Sequence, residues 1–274
     1  MQAWSDGRRR AGRTIGFVPT MGALHSGHIA LVDAAADICD EVVVSIFVNP
    51  LQFNESADFD SYPRPIDDDV GACRAAGVAA VYAPTGAAMY PEGSQTRVVP
   101  GALAATMEGL GRPGHFEGVV TVVTKLFGAV RPHAAVFGQK DFQQLQIIRR
   151  MTTDLDMGID IIGHPIVREP DGLAKSSRNA RLTPEQRAAA VIVPQSLAAA
   201  AGAAATGAAV AQIVAAAKDV VATEPLARLE YVTVFDSRTL HELESTEGVS
   251  PAQVRIATAV WFGDVRLIDN RDLY

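Results

Sequence analysis

The sequence is poor in several features that mark particular classes of protein. Only two cysteines occur among its 274 residues, Cys39 and Cys73, and they fit neither a disulfide framework nor a metal-binding spacing. Lysine and arginine number 24 against 31 aspartates and glutamates, a formal charge of −7. A general nucleic-acid binder needs basic residues to neutralise phosphates, so this acidic balance argues against that class.

Long apolar runs are also missing. The hydrophobic residues make up 48% of the chain, but they are dispersed and rich in alanine. We find no run of about 18 apolar residues, the length needed to cross a bilayer. No apolar segment follows the basic N-terminal stretch MQAWSDGRRRAGR, as it would in a secretory signal. Together with two reduced thiols, these features predict a soluble, cytoplasmic protein that binds neither membranes nor nucleic acids.

The chain does contain apolar, β-branched runs that alternate with helical segments. Strands are predicted at residues 14–18, 41–48, 78–82, 134–137 and 159–162, with helices at 29–36, 66–76, 116–130 and 141–154. The nearly continuous apolar run EVVVSIFV is typical of a strand covered on both faces. This alternation predicts an α/β fold with a doubly wound, Rossmann-like parallel sheet.

The composition changes near residue 167, and we predict a first domain at 1–166 and a smaller C-terminal α+β domain at 167–274. Thr183, Pro184 and Gln186 have the pattern of a capped helix start. The alanine-rich segment up to residue 222 predicts two helices broken near 202–207. Strands are predicted at 229–234, 254–261 and 265–268.

Unusual polar residues follow several predicted strands. The segment HSGH at 25–28 follows the first strand, Asn49 and Gln52 follow the second, and GQKDFQQ at 138–144 follows a later one. Ligands bind beyond the carboxyl ends of strands in open parallel sheets, so these segments are expected to converge on one edge of the sheet.

His25 and His28 occupy the start of a helix at a spacing that places both rings on one face. A helix N-terminus attracts anions and disfavours a charged imidazolium. Neutral histidines there can donate hydrogen bonds to phosphate oxygens, and Gly22 and Gly27 permit close approach of a nucleotide. For the two histidines alone, ordinary polar helix-start residues explain the sequence equally well. Zinc is disfavoured because no third ligand stands at a useful spacing.

Four further segments have a functional and a structural interpretation. Lys140 opposes the helix dipole unless an anion is present, although Asp141 and Gln144 also form a capping-box pattern. In KSSRN at 175–179, an arginine suited to bidentate phosphate contact stands in what is otherwise a surface loop. Turn chemistry explains Asn49 but not Gln52. The acidic run at 67–69 suits either Mg²⁺ or a solvated helix start.

These segments together resemble a known family. The stretch PTMGALHSGH resembles the HxGH signature of nucleotidylyl transferases and class I aminoacyl-tRNA synthetases, and its PTMG prefix resembles pantothenate synthetases. The segments FVNPLQF, GQKDFQQ and SSRN are similar to motifs of that family, as are RPGHFEGVVTVVTKLF and WFGDVRLIDN. The resemblance runs from about residue 16 to residue 270 in the family's order. Gln139 and Lys175 depart from the family pattern, which has Glu and a hydrophobic residue there.

The resemblance implies an ATP-dependent ligase that joins pantoate and β-alanine through a pantoyl-adenylate, releasing AMP and pyrophosphate. It also implies a homodimer, with Mg²⁺ arriving chiefly on the ATP phosphates. The phosphate-stabilising, catalytic residues it implies are His25, His28, Lys140, Ser176, Ser177 and Arg178. The other ATP-binding residues are Met21, Gly22, Ala23, Leu24, Ser26, Gly27, Gly138, Gln139, Asp141, Val167 and Lys175. Asn49, Gln52 and Gln144 are predicted to bind pantoate or β-alanine, and Asp68 and Asp69 a metal.

Three alternatives remain at this stage. A nucleotidylyl transferase that moves AMP or CMP to a phosphorylated acceptor shares the HxGH element and would need no amine. A tRNA synthetase is disfavoured because the acidic chain has no basic appendage for tRNA. A catalytically silent nucleotide-binding regulator would not need His28, Lys140 and Arg178 together.

Overall fold

The computed structural model of the chain describes residues 1–54 and 56–274. The chain forms two compact units. The first comprises residues 1–139 and 143–165, and the second comprises residues 140–142 and 166–274. The short segment Lys140–Phe142 thus belongs to the second unit, although its neighbours in sequence belong to the first.

The first unit contains a five-stranded parallel sheet in the order β3-β2-β1-β4-β5. Its strands are β1 (Ile15–Thr20), β2 (Glu41–Ile46), β3 (Ala80–Tyr82), β4 (Ala134–Gly138) and β5 (Asp160–His164). The predicted doubly wound sheet is therefore confirmed. Because the strand order reverses between β1 and β4, the carboxyl ends of these two strands flank the position where such sheets bind ligands.

The helices of the first unit are α1 (Gln2–Arg10), α2 (Ser26–Ala36), α3 (Ser56–Ser61), α4 (Ile66–Ala75), α5 (Gly86–Met89), α6 (Glu108–Gly111), α7 (His115–Val130) and α8 (Phe142–Asp154). The last of these begins in the short segment assigned to the second unit. The sequence pattern predicts α2, α4, α7 and α8, but it does not predict α1, α3, α5 or α6. Two of the four, α5 and α6, have only four residues each, too few for helical periodicity to be recognised.

Both faces of the parallel sheet are covered, which explains the continuous apolar run in β2. Val43 packs into one core with Phe17 of β1 and Phe127 of α7. Val42 and Val44 point to the other face and pack into a second core with residues such as Val32 of α2. Alternate residues of one strand thus enter different cores, so neither set of side chains can be polar.

The second unit pairs helices with a three-stranded antiparallel sheet in the order β6-β7-β8. Its elements are α9 (Pro184–Ala189), α10 (Ile192–Ala205), α11 (Val210–Ala222), β6 (Ala227–Asp236), β7 (Val254–Phe262) and β8 (Val265–Asp272). The predicted helix start at Thr183 is confirmed, because its hydroxyl and the Gln186 side chain form a reciprocal capping box. The alanine-rich segment contains three helices where two were predicted, because the chain also breaks between α9 and α10.

One stretch corrects the expectation about apolar runs. Among the described residues, Pro184–Ala205 is long and apolar enough to cross a membrane, judged by length and composition alone. In the structure it forms two helices, and Leu197 and Ala200 of α10 are buried against the antiparallel sheet. The core helix of a globular unit passes the same test of composition, so one such stretch is weak support for a membrane span.

Candidate active site

The loop that follows β1 is held in place by a buried carboxylate. Asp69, in the first turn of α4, accepts hydrogen bonds from the backbone N–H groups of Ala23 (2.9 Å) and Leu24 (2.7 Å). Its side chain is only 2% exposed. Ala23 has a positive φ of 50°, which is unfavourable for a residue with a Cβ. Asp69 therefore holds a strained backbone in one conformation immediately before α2.

Gly22 is required in this loop for two reasons. Its φ is +83°, in the left-handed region, and a Cβ at this position would stand 2.8 Å from Oδ2 of Asp69. Its N–H donates to the hydroxyl of Thr20 (3.1 Å), which itself donates to the carbonyl of Ser45 on β2 (2.7 Å). The loop is thus connected to the neighbouring strand as well as to α4.

His25 and His28 form a reciprocal cap at the start of α2. Nδ1 of His25 accepts the N–H of Gly27 (3.1 Å), and Nδ1 of His28 accepts the N–H of His25 (3.3 Å). A ring nitrogen that accepts a hydrogen bond carries no proton, so the proton of each neutral ring is on Nε2. The backbone therefore selects the tautomer in which both Nε2 atoms are donors.

The two imidazoles lie close together. Their centroids are 4.1 Å apart and their planes are inclined by 33°. Two imidazolium charges at this distance would repel each other, and the positive end of the helix dipole would disfavour each of them. The geometry therefore favours a pair of neutral donors, which suits an anionic ligand at the N-terminus of α2.

Asn49 and Gln52 lie after β2, around a short 3-10 turn (Pro50–Gln52). The Asn49 amide nitrogen donates to Oε1 of Gln52 (3.1 Å) and to the carbonyl of Gly118 (3.0 Å). Its oxygen accepts from the Leu51 N–H (3.3 Å) and from the hydroxyl of Tyr90 (2.8 Å). Burial raises the pKa of Tyr90 to about 12, so this hydroxyl stays a donor near neutral pH.

These four hydrogen bonds bear on the predicted role of Asn49. They use both donors and both lone pairs of the Asn49 amide, and Asn49 is 1% exposed. This arrangement argues against the predicted direct contact of Asn49 with substrate. The Gln52 amide has hydrogen-bonding capacity left, since among the described residues its Nε2 donates only to the sulfur of Met21 (2.9 Å). Asn49 positions the Gln52 side chain, and Gln52 remains the substrate-binding candidate.

Arg112 and the first residues of α7 support Gln52 from behind, and the sequence pattern predicts no individual role for any of them. Nδ1 of His115 donates to the carbonyl of Gln52 (2.8 Å), and a guanidinium nitrogen of Arg112 lies 3.1 Å from Nε2 of the same ring. A guanidinium only donates, so His115 is the neutral Nδ1–H tautomer. Gly118 allows the close approach of α7, because a Cβ there would lie 2.3 Å from the carbonyl oxygen of Leu51.

The two glutamines that follow β4 have different surroundings. Gln143 is buried, and its amide holds the 103–108 loop: Nε2 donates to the carbonyls of Leu103 (2.9 Å) and Thr106 (2.8 Å), while Oε1 accepts from Glu108 N–H (3.0 Å). Gln144 is half-buried, and its side chain makes no hydrogen bond with any described residue. Gln144 therefore has an amide that could bind a ligand, and its contact with pantoate or β-alanine stays a prediction. Gln143 has a structural task.

The predicted metal pair receives no support from the geometry. Both carboxylate oxygens of Asp69 already accept backbone N–H groups, and Asp68 is exposed. Within residues 1–54 and 56–274 there is no group of three or more His, Cys, Asp or Glu side chains that could hold a metal ion. The contact of Asp68 and Asp69 with a metal therefore stays a prediction that these side chains do not support.

In the second unit, residues 167–175 form a tight hairpin. Val167 accepts the N–H of Lys175 (2.9 Å), and Arg168 pairs with Ala174. Nζ of Lys175 lies 2.9 Å from a carboxylate oxygen of Glu169 across the hairpin. Lys175, which stands where the family pattern has a hydrophobic residue, therefore forms an ion pair within its own loop.

Ser176, Ser177 and Arg178 follow this hairpin directly. The Ser176 hydroxyl accepts the N–H of Arg178 (3.3 Å) and caps a 3-10 helix (Ser177–Arg181). Asn179 donates to the carbonyl of Ala174 (3.0 Å), which fixes the end of the hairpin to the start of this helix. The SSRN segment is therefore a defined helical turn.

The segment after β4 contains the other predicted phosphate contacts. Gln139, Lys140 and Asp141 form a 3-10 turn after Gly138, and Nζ of Lys140 lies 3.7 Å from a carboxylate oxygen of Asp141. The side chain of Gln139 donates to the carbonyl of Gly163 on β5 (3.3 Å). At the position where the family has Glu, the amide of this chain thus joins β4 to β5.

Comparison with known proteins agrees with this geometry. A family model described as pantoate-beta-alanine ligase matches residues 1–272. The pantothenate synthetase of Heliobacterium modesticaldum is 49% identical over 271 residues, which cover 98% of this chain and 95% of that protein. The pantothenate synthetase of Salinispora arenicola is 51% identical over 259 residues, covering 94% and 90% respectively.

Solved structures give the same result. The pantothenate synthetase of Thermus thermophilus superposes with a TM-score of 0.92 at 44% identity, and 98% of each chain is covered. The pantoate-beta-alanine ligase of Francisella tularensis, complexed with beta-gamma ATP and β-alanine, has a TM-score of 0.81 at 33% identity, covering 98% of this chain and 94% of that one. Since sequence and fold agree over almost the entire length, this chain is an enzyme that belongs to the pantoate–β-alanine ligase family.

Proposed function

We propose that this ligase works in two steps, with ATP as the activating substrate. A carboxylate oxygen of pantoate attacks the α-phosphorus of ATP, which forms pantoyl-adenylate and breaks the bond to pyrophosphate. The amine of β-alanine then attacks the acyl carbon, loses a proton and displaces AMP, giving pantothenate. Activation is needed because a carboxylate has no adequate leaving group for attack by an amine near neutral pH.

The observation that best supports this proposal is the histidine pair at the start of α2. Its caps fix the protons of His25 and His28 on Nε2. Donors arranged in advance at a helix N-terminus stabilise negative charge as it develops on the departing pyrophosphate. No covalent enzyme intermediate is required in this scheme. The task of the protein is therefore to position the reactants and stabilise charge.

The remaining roles are proposed from the family resemblance together with the local geometry. The backbone of residues 21–24, held by Asp69, contacts the nucleotide, as do Ser26, Gly27, Gly138, Gln139 and Asp141. Gln52 and Gln144 bind pantoate or β-alanine. In the second unit, Lys140, Ser176, Ser177 and Arg178 contact phosphate oxygens, with Val167 and Lys175 adjacent to the nucleotide. Mg²⁺ enters with the ATP phosphates, and the homodimer stays a prediction.

Oxygen labelling tests the route of activation. Pantoate labelled with ¹⁸O in its carboxylate is incubated with the enzyme, ATP and β-alanine, and the products are analysed by mass spectrometry. Attack on the α-phosphorus transfers one labelled oxygen to AMP. Label in inorganic phosphate, with ADP as the nucleotide product, would show attack on the γ-phosphorus and would overturn the adenylate scheme.

The rival nucleotidylyl transferase reaction gives a different result in the same experiment. Such an enzyme would release pyrophosphate and keep AMP or CMP on a phosphorylated acceptor, without any dependence on the amine. Formation of labelled AMP only after β-alanine is added separates the two reactions. The family match already favours the ligase.

A further inference from the structure

We propose that Asp269 and Asn270, near the end of β8, are positioning residues that hold two segments of the proposed ATP-binding site in fixed relation to each other. The two segments are Lys140 with its neighbours and the hairpin at 167–175. The inference rests on the proposed function of these segments in binding ATP. It concerns the motif WFGDVRLIDN, to which neither the sequence analysis nor the proposed mechanism assigns a role.

Asn270 fixes the backbone at Lys140. Its side-chain Nδ2 donates to the carbonyl of Lys140, with 2.9 Å between the atoms, although 130 residues separate them in sequence. Its Oδ1 accepts from a guanidinium nitrogen of Arg255 on β7 (2.8 Å). Because Asn270 is buried, water does not replace these bonds readily. The direction in which the Lys140 side chain leaves the backbone is therefore set from β8.

Arg255 reinforces the same contact from β7. Its guanidinium lies over the ring of Phe142, 4.2 Å from the centroid, and it also pairs with Asp272. Burial lowers the pKa of Arg255, but an arginine remains charged at any physiological pH. The segment Lys140–Phe142 is thus held at both of its ends, at Lys140 by Asn270 and at Phe142 by Arg255.

Asp269 fixes the hairpin. Its carboxylate receives two parallel hydrogen bonds from Arg168, at 2.7 and 3.0 Å, and is 2% exposed. Arg168 also donates to the carbonyl of Gly172 at the hairpin turn (3.0 Å). A bidentate pair of this kind defines orientation as well as distance. Asp269 therefore sets the position of the hairpin that leads into Ser176–Arg178.

The two anchors are directly coupled. The N–H of Asn270 donates to Oδ1 of Asp269 (2.8 Å), the same oxygen that accepts from Arg168. Both residues lie in the ladder between β7 and β8, where Asp269 faces Thr258 and Asn270 faces Ala257. A paired strand is a rigid support, and rigid support is what a site needs to hold charged groups at defined separations. Adjacent residues of one strand thus hold segments about 30 residues apart in the chain.

The test uses a nearly isosteric variant, Asn270→Asp. This change keeps an acceptor for Arg255 and replaces the NH₂ group that donates to the Lys140 carbonyl with a carboxylate oxygen. We expect the single-turnover rate of pyrophosphate formation to fall about tenfold, the scale of one lost hydrogen bond, with KM for pantoate unchanged. Asn270→Ala should show a similar fall. Asp264→Asn, an exposed change of charge in the preceding turn, is the matched control and should retain the wild-type rate.

A double-mutant cycle distinguishes positioning from a general effect on the fold. If Asn270 acts through Lys140, then Asn270→Asp has no further effect in a Lys140→Ala background. If the rate losses of the two single variants multiply in the double variant, the positioning role of Asn270 is wrong, while the proposed role of Lys140 is unaffected. A wild-type rate in Lys140→Ala itself would overturn both. Circular dichroism is used to check that each variant folds. If Asn270→Asp does not fold, the same double-mutant cycle is carried out with Asn270→Ala.

Asp269 is tested through the hairpin in the same way. Asp269→Asn keeps the shape of the side chain but weakens the pair with Arg168. We expect a higher dissociation constant for a non-hydrolysable ATP analogue, measured by calorimetry, and no added effect in an Arg178→Ala background. Unchanged affinity for the analogue in Asp269→Asn would contradict the proposed coupling.

Discussion

The amide of Asn49 donates to the side-chain oxygen of Gln52, with 3.1 Å between Nδ2 and Oε1. This bond decides which way the Gln52 amide faces. Its oxygen is turned toward Asn49, and its NH₂ group is turned toward Met21. Gln52 can therefore offer a donor to a carboxylate or hydroxyl oxygen of the substrate, and the residues behind it determine this polarity.

Replacing Gln52 should damage the use of pantoate selectively. We expect Gln52→Ala to raise KM for pantoate by about 10- to 100-fold, since a bound polar group loses its partner. Calorimetry should show unchanged affinity for ATP. Asn49→Ala should have a similar but smaller effect, and the double variant should be no worse than Gln52→Ala. An equal loss of ATP affinity in Gln52→Ala would contradict the assignment.

Asp69 provides a test of loop positioning against metal binding. Asp69→Asn replaces one acceptor with an NH₂ group that opposes a backbone N–H of Ala23 or Leu24. We expect turnover to fall about tenfold or more, with the Mg²⁺ concentration for half-maximal rate unchanged. The exposed neighbour Asp67, changed to Asn, gives the same loss of charge and should behave as wild type. Rescue of Asp69→Asn by raised Mg²⁺ would instead identify Asp69 as a metal ligand.

The close approach of α7 to the Gln52 turn predicts opposite effects for two glycines of one helix. Gly118→Ala places a Cβ 2.3 Å from the Leu51 carbonyl oxygen, so the backbone must move. We expect a loss of about 1–3 kcal/mol in the free energy of unfolding, measured in urea. Gly128→Ala meets nothing within 4 Å and should gain about 0.5–1 kcal/mol. Equal changes in the free energy of unfolding for the two variants would show that α7 does not approach the Leu51 carbonyl as closely as described.

His133 should make stability depend on pH. Its Nδ1 accepts the N–H of Ile15 (2.9 Å) at the start of β1, and burial, with the charge of Arg9, lowers its pKa. A histidine with a lowered folded-state pKa binds its proton more readily when unfolded. The folded state therefore loses stability as pH falls below about 6.5 toward that lowered value.

Comparing the wild type with His133→Asn separates the contribution of His133 to the pH dependence of stability from that of the other histidines. His133→Asn retains an acceptor near Ile15 but does not titrate. Between about pH 7.5 and pH 5.5, its free energy of unfolding should decrease less than that of the wild type. Parallel curves for the two proteins would contradict the role given to His133.

The sequence was sufficient to predict features that depend on local order. The alternation of apolar runs predicted the parallel sheet, and the HSGH spacing placed both histidines on the first turn of α2, as found. The capping box at Thr183 could also be predicted, because a cap involves residues only three positions apart. Short helices such as α5 and α6 could not, because their few residues show no periodicity.

Contacts between distant segments could not be predicted from the sequence. Asp69 is one of three consecutive aspartates, and only the tertiary structure shows that it is the one buried beneath the loop 46 residues earlier in the chain. Asn49 looked suited to bind substrate, but its four partners include Tyr90 and Gly118, which no local pattern connects to it. For Gln143 and Gln144, the phase of α8 decides which amide is buried, and that phase depends on packing.

In the proposed reaction, activation of the carboxylate precedes attack by the amine and does not require it. The most direct test is rapid-quench measurement of pyrophosphate with enzyme in excess over ATP, with pantoate present and β-alanine absent. The two-step reaction predicts a burst of about one pyrophosphate per ATP, slowed by a factor on the order of 10²–10³ in His28→Ala, the scale for losing one transition-state donor. Pyrophosphate that forms only after β-alanine is added, or AMP that forms without pantoate, would contradict it.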